Sequence, residues 1–327
     1  MKTSTYRFTL LALCAFTCCA LPANAALLFY DGFEPNAVPT GPFNYQSGEP
    51  LAASPDPNGT QENGQYNAAS AFTDKYWRYI GSGAANTSAP KISSGSLSYP
   101  GWFNSTGNKV DFDMTQIASS RVQVASAINS GTVYWSGLFQ VSAIGATLNS
   151  VNGALLGGFN NTVGPGATAN SVGAVLRIRK DPTDGTKYSI GTAMNSGTAA
   201  GNIQWSSPIT PSGDTILLVG AYEFVAGANN DIAYMWINPA PGTWGAALPP
   251  SATLTSAPGG SVADSFASIS TYNIRNVNTV GTATGSFDEL RVGTDWASVT
   301  VPEPDGLLML ALIGVLLRRR RAGTPME

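Results

Sequence analysis

Leu176-Arg177-Ile178-Arg179 alternates apolar and charged residues, Asp181-Pro182-Thr183-Asp184-Gly185 follows, and Lys187 to Thr192 resumes the run. A period of two sets Leu176 and Ile178 on one face of a strand and the arginines on the other. The Pro-Thr-Asp-Gly cluster turns the chain, and Lys187 to Thr192 returns as the partner strand of a hairpin. The same pattern extends outward. Val110, Phe112 and Met114 alternate with Asp111 and Asp113. The runs Thr132 to Val141 and Ile216 to Phe224 are apolar on both faces and predict central strands. Asp231 to Asn238 adds another, with Ile232, Tyr234 and Trp236 on one face and Ala233, Met235 and Ile237 on the other. Gly, Pro, Asn and Asp clusters separate the runs, and Asn36 to Asn67 reads as long loops. No amphipathic helix interrupts them. The pattern is that of an all-β sandwich or barrel in one domain.

Composition narrows the setting. Charged residues make up 11% of the chain, where about 25% is ordinary, so the surface is polar but mostly uncharged. Residues 26–304 carry 11 Lys and Arg against 18 Asp and Glu, a net charge of −7. That balance offers no basic stripe for nucleic acid. All three cysteines, Cys14, Cys18 and Cys19, lie near the start, and the chain has no histidine. Ser-His-Asp and Cys-His catalysis and histidine-ligated metal sites are thereby excluded.

The two ends read as export signals. Lys2 and Arg7 precede the uncharged apolar run Phe8 to Ala20, and Ala23-Asn24-Ala25 forms a small-x-small cleavage site. Residues 1–25 are thus predicted to be a signal peptide, its helix removed by signal peptidase after the export translocon, with Ala26 the first mature residue. At the other end Pro302-Glu303-Pro304 precedes an apolar stretch, Leu307 to Leu317, and then Arg318, Arg319, Arg320 and Arg321. An apolar helix closed by arginines is a stop-transfer design. Residues 301–327 resemble the PEP-CTERM sorting signal. That resemblance implies processing by an exosortase-like enzyme, transient inner-membrane anchoring through the short C-terminal helix, and delivery to the cell envelope, outer surface or exopolysaccharide matrix. The apolar run of 11 residues is about half a usual span, and six residues follow the arginines.

Residues 26–300 resemble the concanavalin A-like (laminin-G-like) jelly-roll domains often found ahead of such tails. The matching segments are Phe29 to Phe33, Gly95 to Tyr99, Leu217 to Gly220, Trp236 to Pro239 and Phe287 to Trp296. The resemblance implies a jelly-roll β-sandwich whose first and last strands lie together, with lectin-like or glucanase-like ancestry. Fold alone does not assign function.

Carboxylate chemistry is the catalytic route left open. Glycoside hydrolysis needs two acids at a fixed separation, and no Glu-x-Asp-x-x-Glu strand occurs. Asp111 and Asp113 read as the solvated side of a strand. Asp288 and Glu289 are adjacent, and Phe287 is out of phase with Leu290 and Val292, which predicts a β-bulge there. These two acids read as turn anchors or calcium ligands. Calcium is the one metal the composition admits, because it takes oxygen ligands; Asp181 and Asp184, or Asn229, Asn230 and Asp231, are the other candidates and are also ordinary turn residues. Seven tryptophans offer sugar-stacking surfaces, and Trp102 and Trp244, in Gly- and Pro-bearing stretches, are the loop candidates for glycan contact. Three readings follow: a non-catalytic exported protein that binds glycan, a structural surface protein with no specific ligand, and a glycan hydrolase or lyase.

Overall fold

The computed structural model describes residues 27–33, 47–48, 51, 77–80, 90–102, 105–113, 118–162, 172–196, 202–256, 264–276 and 281–301. These form two antiparallel sheets with almost no helix. The first sheet runs in the order β13 (Leu254–Ser256), β12 (Ile232–Ile237), β11 (Thr215–Phe224), β6 (Gly131–Ile144), β15 (Ala283–Gly293), β4 (Asn108–Asp113) and β3 (Lys91–Ser94). The second runs β10 (Gln204–Trp205), β9 (Tyr188–Thr192), β8 (Gly173–Lys180), β7 (Ala154–Asn160), β14 (Ile269–Asn276), β5 (Ala118–Ile128) and β2 (Arg78–Ile80).

The doubly apolar runs are β6 and β11, and both lie inside the first sheet, each flanked on two sides. The expected hairpin is β8–β9, paired from Arg177↔Gly191 to Lys180↔Tyr188. Asp181 Oδ1 accepts from the backbone N–H of Thr183 and of Asp184, which holds the turn.

β15 organises the first sheet. One edge pairs with β6; the other pairs with β4 through Thr284–Phe287 and then with β1 (Leu27–Asp31) through Leu290–Gly293. First and last strands therefore lie side by side. At the handover the register shifts between Asp288 and Arg291, and Glu289 adopts φ +56°. This is the bulge that the phase break at Phe287 predicts.

Between the sheets, Phe112 and Phe139 stack at 5.5 Å, and Trp135 reaches across to Tyr272 at the same spacing. The Trp135 indole N–H donates to the Ala174 carbonyl of the opposite sheet at 3.3 Å. An indole buried this fully contributes on the order of 5 kcal/mol by area. Gly220 makes room for it: the two residues are register partners, and a Cβ on Gly220 would overlap the ring.

The outer face of the first sheet has a partial cover. Outward-facing Tyr134 and Val219 are roofed by Trp236 and by α1 (Trp296–Thr300). Asp295 caps that helix by accepting from Ser298 N, and Trp296 Nε1 donates to Thr243 O at 2.7 Å. Ser136 Oγ donates to Val299 O at 2.6 Å, and Arg291 Nη1 to Val301 O at 2.9 Å. The chain is thus tied to the sheet up to residue 301. Among the described residues no helix is long and apolar enough to cross a membrane.

Candidate functional site

Beyond the α1 roof, outward-facing Leu138 and Leu217 are covered by Leu97 and Trp102, with Tyr99 and Trp244 packed beside them. Past this second cover the outer face lies open. There β4 presents Lys109, Asp111 and Asp113, β6 presents Gln140 and Ser142, and β15 presents Thr284 and Ser286. The alternation that buries Val110 and Phe112 is what turns these polar residues outward. They line a hollow of about 680 Å³ with Lys91 and Ser93 of β3 at its edge. A second hollow of about 810 Å³ shares Lys109 and Gln140 with it and is bounded by Tyr99, Pro100, Asp214 and Pro241. Together they make a polar trough that ends against an aromatic wall.

The trough is fixed by its own hydrogen bonds. Ser286 Oγ donates to Asp111 Oδ1 at 2.6 Å, Lys109 Nζ donates to the Ser94 carbonyl at 3.3 Å, and Gln140 Nε2 donates to the Gly213 carbonyl. Trp244 meets Trp102 edge-on at 5.0 Å and stands 6.3 Å from the Tyr99 ring. Its indole N–H donates to Pro239 O. Trp102 is 7% exposed and acts as cover for the sheet, whereas Tyr99 and Trp244 are half-buried. Burial raises the Tyr99 phenol above its ordinary value. Two lysines and two aspartates leave the first hollow without net charge. Both of its acids come from β4, with no acid on the facing strand β6.

The bulge holds a different set of acids. Asp31, Asp288 and Glu289 are all buried. Asp288 accepts from Leu97 N and Glu289 N, each at 2.8 Å; Asp31 accepts from Trp77 Nε1 at 2.8 Å and Phe33 N at 2.9 Å; Tyr30 O–H donates to Glu289 at 2.9 Å. Burial, then the neighbouring charges of Glu289 and Asp31, push the Asp288 carboxyl up to about 9 against the opposing pull of the two N–H donors. Among the described residues no three acids, histidines or cysteines are arranged to hold a metal.

The other oxygen candidates serve turns. Asp184 accepts from Thr186 and pairs with Lys187 at 3.1 Å. Asp231 takes the Tyr222 hydroxyl at 2.6 Å and Val225 N at 2.8 Å. The backbone N–H groups of Asn229, Asn230 and Asp231 all point at the Asp264 carboxylate, at 2.8, 2.9 and 3.0 Å. The export residues Ala23, Ala25 and Ala26, the sorting residues Pro302, Glu303 and Pro304, the Leu307–Leu317 run and Arg318 to Arg321 lie outside the described residues.

Sequence reading missed Tyr99, Lys109 and Gln140 as members of one surface. A doubly apolar strand whose outer leucines need a cover was the signal that Trp102 is buried.

No protein-family model and no curated protein matches this chain. Among solved structures, the chain is similar to the carbohydrate esterase of Shiga toxin-encoding bacteriophage phi24B, at 11% identity and a TM-score of 0.37, over 67% of this chain and 90% of that one. It is similar to domain 4 of AbnA, a GH43 extracellular arabinanase from Geobacillus stearothermophilus, solved with arabinotriose, at 13% identity and a TM-score of 0.37, over 85% and 100%. It is also similar to the globular domain of T. cruzi calreticulin, at 11% identity and a TM-score of 0.35, over 71% and 91%.

Proposed function

We propose that this is an exported, non-catalytic glycan-binding protein of the cell surface or extracellular matrix. Its folded part is read as a concanavalin A-like jelly roll and its last residues as a PEP-CTERM-type sorting tail. The observation that carries the binding reading is the open trough on the first sheet. It is long and polar, its first hollow is without net charge, and it ends at the Tyr99–Trp244 pair. Hydroxyl-rich ligands need donors and acceptors in fixed places plus an aromatic surface for the apolar side of a sugar ring. Lys109, Asp111, Asp113 and Gln140 offer the first, and Tyr99, backed by Trp244, offers the second. The non-catalytic reading is supported by the acids of the first hollow, Asp111 and Asp113, which share one strand, and by Asp214, the third acid of the trough, which accepts from the Ser212 hydroxyl. The export reading rests on Ala23-Asn24-Ala25 and on Pro302-Glu303-Pro304 with Arg318 to Arg321.

The test is calorimetric titration of the purified protein with neutral exopolysaccharide fragments, for the unaltered chain and for Tyr99→Ala, Trp244→Ala and Gln140→Ala. Saturable binding that weakens about tenfold with Tyr99→Ala, the order of one lost stacking contact, is expected. Binding to none of them, with the fold intact by circular dichroism, would leave the structural reading, in which the aromatic pair serves only to cover Leu138 and Leu217.

A further inference from the structure

The outer face of the second sheet has another chemistry. Tyr272, Ile274, Val122, Leu176 and Ile178 fill the core, so alternation turns Asn273, Arg275, Arg121, Arg177 and Arg179 outward. Register sets Arg121 directly opposite Asn273 and Ser119 opposite Arg275. Arg177 lies across β7, which brings glycine at positions 157 and 158 against Ile274 and Asn273. Four guanidinium groups thus gather on one face of a domain whose net charge is negative.

Two of them, Arg177 and Arg275, are not neutralised by their partners. Arg177 is 3% exposed; its Nη1 and Nη2 donate to the Asn152 and Ser196 carbonyls, and its Nε is buried with no acceptor. Arg275 Nε donates to the Ser119 hydroxyl. Neither has a carboxylate within ion-pair distance among the described residues. Burial first, and the charge of Arg275 second, pull the Arg177 guanidinium down to about 10, so the two cations repel. Asn273 is 0% exposed, and neither its amide oxygen nor its amide nitrogen has a hydrogen-bond partner. A buried amide with both ends unmet, two residues along the strand from the Arg275 guanidinium, is a costly arrangement that native proteins keep where something answers it.

We propose that Arg177, Arg275 and Asn273 form an oxyanion site that takes a carboxylate, sulfate or phosphate group, separate from the trough of the first sheet. An oxyanion accepts from guanidinium forks and from an amide N–H together. Arg275, the one partly exposed member of the three, is the way in. Arg179 stacks its guanidinium over Trp205 at 4.5 Å and closes one side. The group can arrive as a free inorganic anion or on an acidic sugar.

The experiment is thermal unfolding and calorimetric titration of the full protein at low salt with inorganic sulfate, an oligogalacturonate and a neutral oligosaccharide of equal length. The unaltered chain should gain melting temperature and bind at least one of the two anions. Arg275→Gln should weaken that binding by about tenfold, the loss of one charge-assisted contact. Asn273→Asp, which supplies an internal carboxylate, should raise the melting temperature and abolish the anion-induced shift. Sulfate as the sole ligand assigns the site to small anions; a tighter oligogalacturonate assigns it to acidic glycan. No anion binding by the unaltered chain, or anion binding retained in both variants, overturns the proposal; neutral-oligosaccharide binding that both variants keep belongs to the trough of the first sheet.

Discussion

Asp288 should make this fold lose stability as pH rises through neutrality. Its carboxyl is buried at the bulge and shifted to about 9, while in the unfolded chain it titrates near 3.8. Between those values the folded state holds a proton that the unfolded state has released. The contribution of this group is therefore fully present below about pH 4 and declines as pH rises toward 9. The slope is about 1.4 kcal/mol per pH unit, or about 4 kcal/mol between pH 5 and pH 8. Asp288→Asn removes the titration but keeps one acceptor for Leu97 N or Glu289 N. It should cost about 1 kcal/mol at pH 5, where one of two hydrogen bonds is lost, and be more stable than the unaltered protein at pH 8. Urea unfolding of both proteins across this range reads the difference in slope, which cancels the titrating groups that do not neighbour Asp288 and leaves its coupling to Glu289 and Asp31 inside the difference. Equal slopes would refute the reasoning and place the ionised carboxylate in the folded state.

Two further outcomes follow from packing and from a loop anchor. Gly220→Val drives a side chain into the Trp135 indole and should lower stability by about 3 kcal/mol in urea unfolding; a loss under about 1 kcal/mol would mean the indole has another seat. Asp264→Ala removes the acceptor of three consecutive backbone N–H groups. It should cost about 2 kcal/mol and speed hydrogen exchange at residues 229–231, and unchanged exchange there would contradict the anchoring role.

The strands were largely legible because their signal is local. Leu176 to Thr192 contains both halves of its hairpin and the turn between them, and Phe287 betrays the bulge by falling out of step with Leu290. Whether a strand's second face meets water or a cover is set by segments distant in sequence. Arg177, read from alternation as an outward residue, does face outward; it is buried there, its terminal nitrogens donating to the Asn152 and Ser196 carbonyls of segments distant from its own strand. Trp102 sits among turn residues, and only the pairing of β6 with β11 juxtaposes the leucines it covers. The trough has the same origin: Asp111 and Asp113 are visible as a polar face, but Gln140 and Ser286 join them through pairings that span the chain.

The attachment of residues 296–301 also decides how the protein would carry load. A pull applied beyond Val301 meets the seat of Trp296 and the Ser136 and Arg291 hydrogen bonds before it reaches β15. The force then enters a strand hydrogen-bonded along both edges, to β6 on one side and to β4 and β1 on the other. Such a strand resists by shearing many bonds at once, where an edge strand would unzip one bond at a time. The segment 296–301 is thus spliced into the mechanical centre of the sheet.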